Sequence, residues 1–134
     1  MTSQKDLESD YKNAQFGGTL IPGKKPALIL VDFVMAYLDP QSPLYAGVET
    51  AFASAARLLT AARKASVPVI FTNVVYSPGG TDGGVFFRKV GALKLFEKGS
   101  PHGAFSSDLS PNENELVISK QYASSFFGTS LSST

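Results

Sequence analysis

A chain of 134 residues that is 43% hydrophobic and 17% charged has the makeup of one globular domain with a sizeable core, which excludes disorder on a large scale. A formal net charge of +1, with acids and bases interspersed, excludes the basic stripe that tracks nucleic-acid phosphates and suits a small neutral or singly charged ligand better. The absence of cysteine excludes disulfides, thiolate metal sites and thiol nucleophiles within these residues.

Residues 1–26 read as a polar arm. Its start, "MTSQKDLESDYKNA", has no apolar core for a secretory signal, and its end, "FGGTLIPGKKP", carries the glycines and prolines that forbid a long helix. Such an arm is expected to lie over another part of the fold. No apolar stretch approaches the roughly 20 residues that span a bilayer, so no membrane partner is expected and the cytoplasm is the default compartment.

The run "ALILVDF" is continuously apolar rather than alternating, which predicts a strand over Ala27–Phe33 buried on both faces. After the break "LDPQSPLYAG", Val48, Phe52, Ala55, Leu59 and Ala62 recur at spacings of three and four, which predicts an amphipathic helix from Val48 to Lys64. "VPVIFTNVVY" is a second buried strand, so strand, helix and strand form a βαβ unit and the sheet is expected to be parallel. A glycine-rich loop, "SPGGTDGG", follows. "RKVGALKLF" predicts a short helix with Val90, Leu93 and Phe96 on one side, and "ELVIS" a third strand. "SSFFGTSLSST" reads as the opening of a helix. The order of elements is that of an α/β fold whose pattern is expected to stop midway, with residues 27–134 as part of a single domain and no internal repeat.

In an open parallel sheet, ligands gather beyond the carboxyl ends of the strands. Asp32 ends the first strand and Lys120 the third, so both belong to that edge, and with strand order 3-2-1 the lysine must lean inward to reach the acid. An Asp and a Lys held together away from bulk water can form a proton-accepting unit. Without further information, a plain ion pair or two solvated loop ends explains the same residues.

The blocks "FGGTLIPGKKPALILVDFVMAYLDPQSPLYAGVE", "VPVIFTNVVYSPGGTDGGVFFRKVGALKLF" and "ELVISKQYASSFFGTSL" resemble, in order and spacing, the isochorismatase-like cysteine hydrolases, and most of all their N-carbamoylsarcosine amidase and maleamate amidohydrolase branch. The resemblance implies a three-layer, Rossmann-like α/β/α fold with a parallel sheet, of which the N-terminal half is present. It also implies an Asp-Lys-Cys triad in which Asp32 matches the acid and Lys120 the lysine. In that family the acid takes the thiol proton, the lysine steadies the charges, and the thiolate attacks an amide-type carbonyl to release ammonia. The family's cysteine lies well beyond its lysine, whereas this sequence runs fourteen residues past Lys120, so the polypeptide is expected to stop before the nucleophile and to be inactive alone.

Further expectations follow from the resemblance. The substrate is a small amide or carbamoyl compound, and the full-length protein is expected to be a homo-oligomer. The metal-binding nicotinamidase branch carries an Asp-x-His pair and a further His after the second strand; no histidine precedes His102 here, so neither metal nor cofactor is expected. His102 reads as a surface loop residue or a substrate contact. "GGTDGGVFF" fits neither the Walker nor the dinucleotide spacing and reads as a lid, with Phe86 and Phe87 as aromatic cover, or as a docking surface, and with Arg88 or Lys89 as a carboxylate anchor.

Two competing readings remain. One is a catalytically empty piece, a pseudoenzyme or an oligomerisation module that keeps the sheet. The other is a phosphate-handling α/β domain, which would need an acidic cluster after the first strand and a second strand-end Asp; "VDFVMAY" and "IFTNVVY" supply neither. In the resembled fold the first strand is central, so an unpaired "ALILVDF" edge is expected to make the chain poorly stable and self-associating.

Overall fold

The computed structural model describes residues 4–134. Three strands, β1 (Leu28–Val31), β2 (Val69–Val74) and β3 (Leu116–Lys120), form one sheet in the order β1-β2-β3, with both pairings parallel. Helix α1 (Gln4–Asn13) precedes the sheet, α2 (Met35–Leu38) follows β1, α3 (Glu49–Lys64) joins β1 to β2, and α4 (Gly84–Lys89) lies between β2 and β3. This is the parallel α/β arrangement expected from the sequence.

Helix α3 forms because Phe52, Ala55, Leu59 and Ala62 fall on one face, and all four are buried. Glu49 in its first turn and Arg63 and Lys64 in its last complement the helix dipole. It stops where Ser66 turns into the left-handed region at φ 54°, with the Ser66 N–H donating to Arg63 O and the Val67 N–H to Ala62 O. The buried face meets Leu30, Val69 and Phe71 to make the main core, completed by Leu109 from the segment before β3. Burying Leu59 and Phe52 there contributes about 2 kcal/mol each.

The register pairs Leu28 with Val69 and Leu30 with Phe71, which places those four on the α3 face. Ile29, Val31, Ile70, Thr72, Ile118 and Lys120 therefore point to the opposite face. Here the expectation for the first strand is corrected: it is shorter than Ala27–Phe33 and is not buried on both faces, since Ile29 is 40% and Val31 55% exposed. A continuous apolar run shows that both faces can be buried; what covers them comes from elsewhere, and α3 supplies one cover only. Among the described residues, β1 also has no partner along its outer edge.

Three other expectations change. Among the described residues the arm is not packed into the core, since residues 6–27 are exposed, and α1 stands ahead of the glycine-rich stretch. The expected helix over "RKVGALKLF" is two pieces, since Val90 adopts extended geometry between α4 and a 3-10 segment, Gly91–Phe96. Phe96 is buried, while Val90 and Leu93 are half-buried. Beyond β3, Gly128 takes φ 69° and the only helical geometry is a 3-10 turn, Leu131–Ser133.

The amino ends of the strands are tied by an ion pair. Glu115, just before β3, accepts from Arg63 Nε at 2.8 Å and Nη2 at 2.7 Å, and from the Asn112 N–H at 2.8 Å. Arg63 Nη2 also donates to Ser110 O at 2.9 Å, so the end of α3 is fastened to the approach to β3. The Arg63 hydrogen bonds hold the Glu115 carboxyl below its ordinary value, against burial, which pushes it up.

A group depressed in the folded state adds stability above its unfolded value, near 4.5 here, and loses it as pH falls through the folded value. Glu115→Gln is expected to cost about 1 kcal/mol in denaturant titration at neutral pH, limited by the solvent around Arg63, with the difference from wild type closing as pH drops below 4.5. The open β1 edge predicts concentration-dependent association in sedimentation, weakened by Val31→Lys; a monodisperse monomer at every concentration would show the edge to be protected.

Candidate functional site

Asp32 is the first residue past β1, and its backbone is left-handed at φ 58°, a conformation that Asp tolerates better than most residues. Strand alternation alone would send its side chain to the α3 face. The left-handed turn breaks the alternation, and the carboxylate meets two side chains of the opposite face. Lys120 Nζ lies 2.7 Å from Asp32 Oδ2, and Thr72 Oγ1 donates to Asp32 Oδ1 at 2.7 Å. The ends of the outer strands thus converge over β2.

Lys120 is the last residue of β3, in register with Val74, and its side chain is only 3% exposed against 18% for Asp32. Its ammonium also donates to Ala123 O at 2.9 Å in the loop that follows. An ammonium buried this deeply is tolerable only when paired and hydrogen-bonded, and both conditions are met. Among the described residues its third N–H has no partner, so the group keeps one donor free.

Tyr37 on α2 stands next to this pair. It is half-buried, with its ring 6.1 Å from that of Phe96, and its phenol is raised above the ordinary value by burial and then by the negative charge of Asp32. Buried Tyr76, just beyond β2, is raised by burial and then by Asp82, Tyr122 and Tyr37. Three phenols therefore share the electrostatic neighbourhood of the carboxyl edge.

The glycine-rich loop is built rather than loose. Asp82 accepts from the Ser77 N–H at 2.9 Å and from Ser77 Oγ at 2.9 Å, closing the loop on itself. Phe87 is packed on Tyr76, with ring centroids 4.7 Å apart, and a Cβ on Gly80 would come within 1.9 Å of the Phe87 ring. Gly80 and Gly83 are thus the space that Phe87 occupies. Tyr122, two residues past Lys120, brings its hydroxyl against Gly84 at the start of α4 and packs edge-on against Phe127, with ring centroids 4.9 Å apart.

Of the residues singled out in the sequence, Asp32 and Lys120 are brought together. Phe86 and Phe87 separate: Phe86 is 54% exposed on the rim, while Phe87 is 6% exposed and spent in packing. Arg88 and Lys89 are exposed at the end of α4. His102 faces Asp39, with Nε2 3.4 Å from Oδ2. Sequence reasoning missed Thr72, Tyr37 and the Ala123 carbonyl. Thr72 left a trace, as the single hydroxyl in the run "VIFT"; a backbone carbonyl leaves none. Among the described residues, no group of three or more His, Cys, Asp and Glu could hold a metal ion.

Removing one member of the pair should leave the other charge buried. Asp32→Asn and Lys120→Met are each expected to cost about 3 kcal/mol, and the double variant clearly less than the sum, in a double-mutant cycle read by denaturant unfolding. Full additivity would show that the two side chains do not interact.

Comparison with known proteins follows the same residues. The isochorismatase domain matches residues 26–134. Maleamate amidohydrolase of Pseudomonas putida is 46% identical over 130 residues, covering 94% of this chain and 61% of that protein. N-carbamoylsarcosine amidase of an Arthrobacter species is 33% identical over 129 residues, covering 92% of this chain and 48% of that protein. A crystal structure of a cysteine hydrolase from Pseudomonas syringae pv. phaseolicola shares the fold, with a TM-score of 0.77 at 24% identity, over 87% of this chain and 55% of that one. The chain spans about half to three fifths of the length of these relatives.

Proposed function

The chain belongs to the isochorismatase family, and from that premise we propose that it carries the acid and the lysine of a C–N hydrolase that releases ammonia from a small linear amide or carbamoyl compound. Residues 27–134 serve as the N-terminal part of one hydrolase domain, with residues 1–26 as its arm. The observation that carries this reading is the buried Asp32–Lys120 pair, 2.7 Å across at the carboxyl ends of parallel strands, within the matched segment. A parallel sheet places its chemistry at that edge.

In the proposed reaction a cysteine thiol gives its proton to Asp32, and the thiolate attacks the amide carbon. The Lys120 ammonium offsets the negative charge that passes from carboxylate to thiolate. The tetrahedral intermediate expels its nitrogen as ammonia as that nitrogen takes up the proton held by Asp32, leaving a thioester (a thiocarbamate from a carbamoyl compound), and water then hydrolyses it, returning a proton to the thiolate and releasing the acid. The 134 residues hold no cysteine, so the nucleophile lies outside them. Phe86 on the exposed rim is proposed as aromatic cover, with Arg88 or Lys89 as anchor for a substrate carboxylate. Phe87 supports this rim from below. The relative at 46% identity is named for maleamate, which makes maleamate the first substrate to try and N-carbamoylsarcosine the second.

The missing thiol favours a second reading, in which the chain is a catalytically empty member of the family that keeps the sheet for association. Both are tested by mixing the chain with the C-terminal segment of the Pseudomonas putida maleamate amidohydrolase and measuring ammonia. The expected result is no release by the chain alone, release from the reconstituted mixture, and at least a hundredfold loss with Asp32→Asn or Lys120→Met. Ammonia release by the chain alone would overturn the need for an outside thiol. A folded, reconstituted complex without activity would support the empty member.

A further inference from the structure

We propose that Thr72 is the positioning residue of the site, a two-point clamp that fixes the plane of the Asp32 carboxylate, so that one oxygen is held by Thr72 while the other faces Lys120. The inference deepens the reading of Asp32 as proton acceptor and names the group that orients it.

Thr72 is fully buried in the centre of the middle strand, where an apolar β-branched residue would serve packing equally well. A hydroxyl placed there is unfavourable unless it is hydrogen-bonded. Its partner is Asp32 Oδ1 at 2.7 Å. The carboxylate has no proton to give while Lys120 faces its other oxygen, so Thr72 donates. The second point of the clamp is main chain: the Asp32 N–H donates to Thr72 O at 3.1 Å, continuing the β1–β2 ladder by one residue.

Both contacts act on a residue whose backbone is left-handed at φ 58°. The main-chain bond holds the peptide while the chain turns, and the hydroxyl catches the carboxylate that the turn swings across. The two oxygens are then divided, with Thr72 on Oδ1 and Lys120 on Oδ2. Without the hydroxyl, the carboxylate plane would be free to rotate about the bond to the carboxyl carbon, and the direction in which its lone pairs meet Lys120 and an incoming proton would no longer be set. Lys120 is held in turn by Ala123 O, so the pair is braced from both sides.

The test separates packing from hydrogen bonding in the chain as it is. Thr72→Val keeps the shape and loses the hydroxyl; Thr72→Ser keeps the hydroxyl and loses the methyl. Hydrogen exchange at the Lys120 ammonium, followed by nitrogen-15 NMR, reports how tightly the pair is held, and thermal unfolding reports packing. Thr72→Val is expected to keep the wild-type melting temperature within a few degrees while its ammonium protons exchange about tenfold faster, the change expected for a net hydrogen bond of ordinary strength. Thr72→Ser is expected to melt lower and to keep slow exchange.

The opposite pattern, with slow exchange in Thr72→Val or exchange in Thr72→Ser as fast as in Thr72→Val, would overturn the proposal. If Thr72→Val fails to fold, Thr72→Ser against Thr72→Ala gives the same comparison at lower stability, and equal exchange rates in those two would overturn it. None of these measurements needs activity. A failure of the hydrolase reading leaves the exchange pattern intact, and a failure of the clamp leaves the loss of activity in Asp32→Asn intact.

Discussion

A buried ammonium must be paired where it is buried, and Lys120 imposes that demand on the rest of the fold. With 3% of its side chain exposed, it needs a carboxylate within contact distance, and the acid that answers comes from a different strand. The two can meet only if β1 and β3 end on the same side of the sheet with β2 between them, as the two parallel pairings arrange. Antiparallel pairing of either outer strand would put acid and lysine at opposite ends. The strand directions and the ion pair are therefore one constraint expressed at two levels.

Strand β3 is pinned at both ends by charge, in two different ways. Before it, Glu115 and Arg63 form a bidentate pair partly open to solvent, worth little more than a fastening between helix end and strand start. At its end, Lys120 is desolvated and shared between a carboxylate and a carbonyl, so its geometry is costly to disturb. On the rim, Phe87 fills the space left by Gly80 and Gly83, while Phe86 stands exposed.

Membership in the isochorismatase family and the Asp32–Lys120 pair rest on different observations. The family match runs along the chain from residue 26, and the pair is a contact between residues far apart in it.

Local pattern was enough for the elements whose cause is local. The spacing of Phe52, Ala55, Leu59 and Ala62 specifies a helix face whatever it packs against, and the runs around Leu30 and Phe71 specify strands because β-branched residues and leucine cannot be solvated over such lengths. The alternation of strand, helix and strand implies parallel pairing, and from there Asp32 and Lys120 could be assigned to one edge. What only the tertiary structure decided is which faces are covered and which side chains meet at the carboxyl edge. Ile29 and Val31 are as apolar as Leu30, but α3 covers one face of the sheet, and no residue in β1 can supply a second helix. Thr72 joined the site because the register places it beside Val31 and because Asp32 leaves the strand left-handed, and neither register nor a positive φ is written in a run of apolar residues.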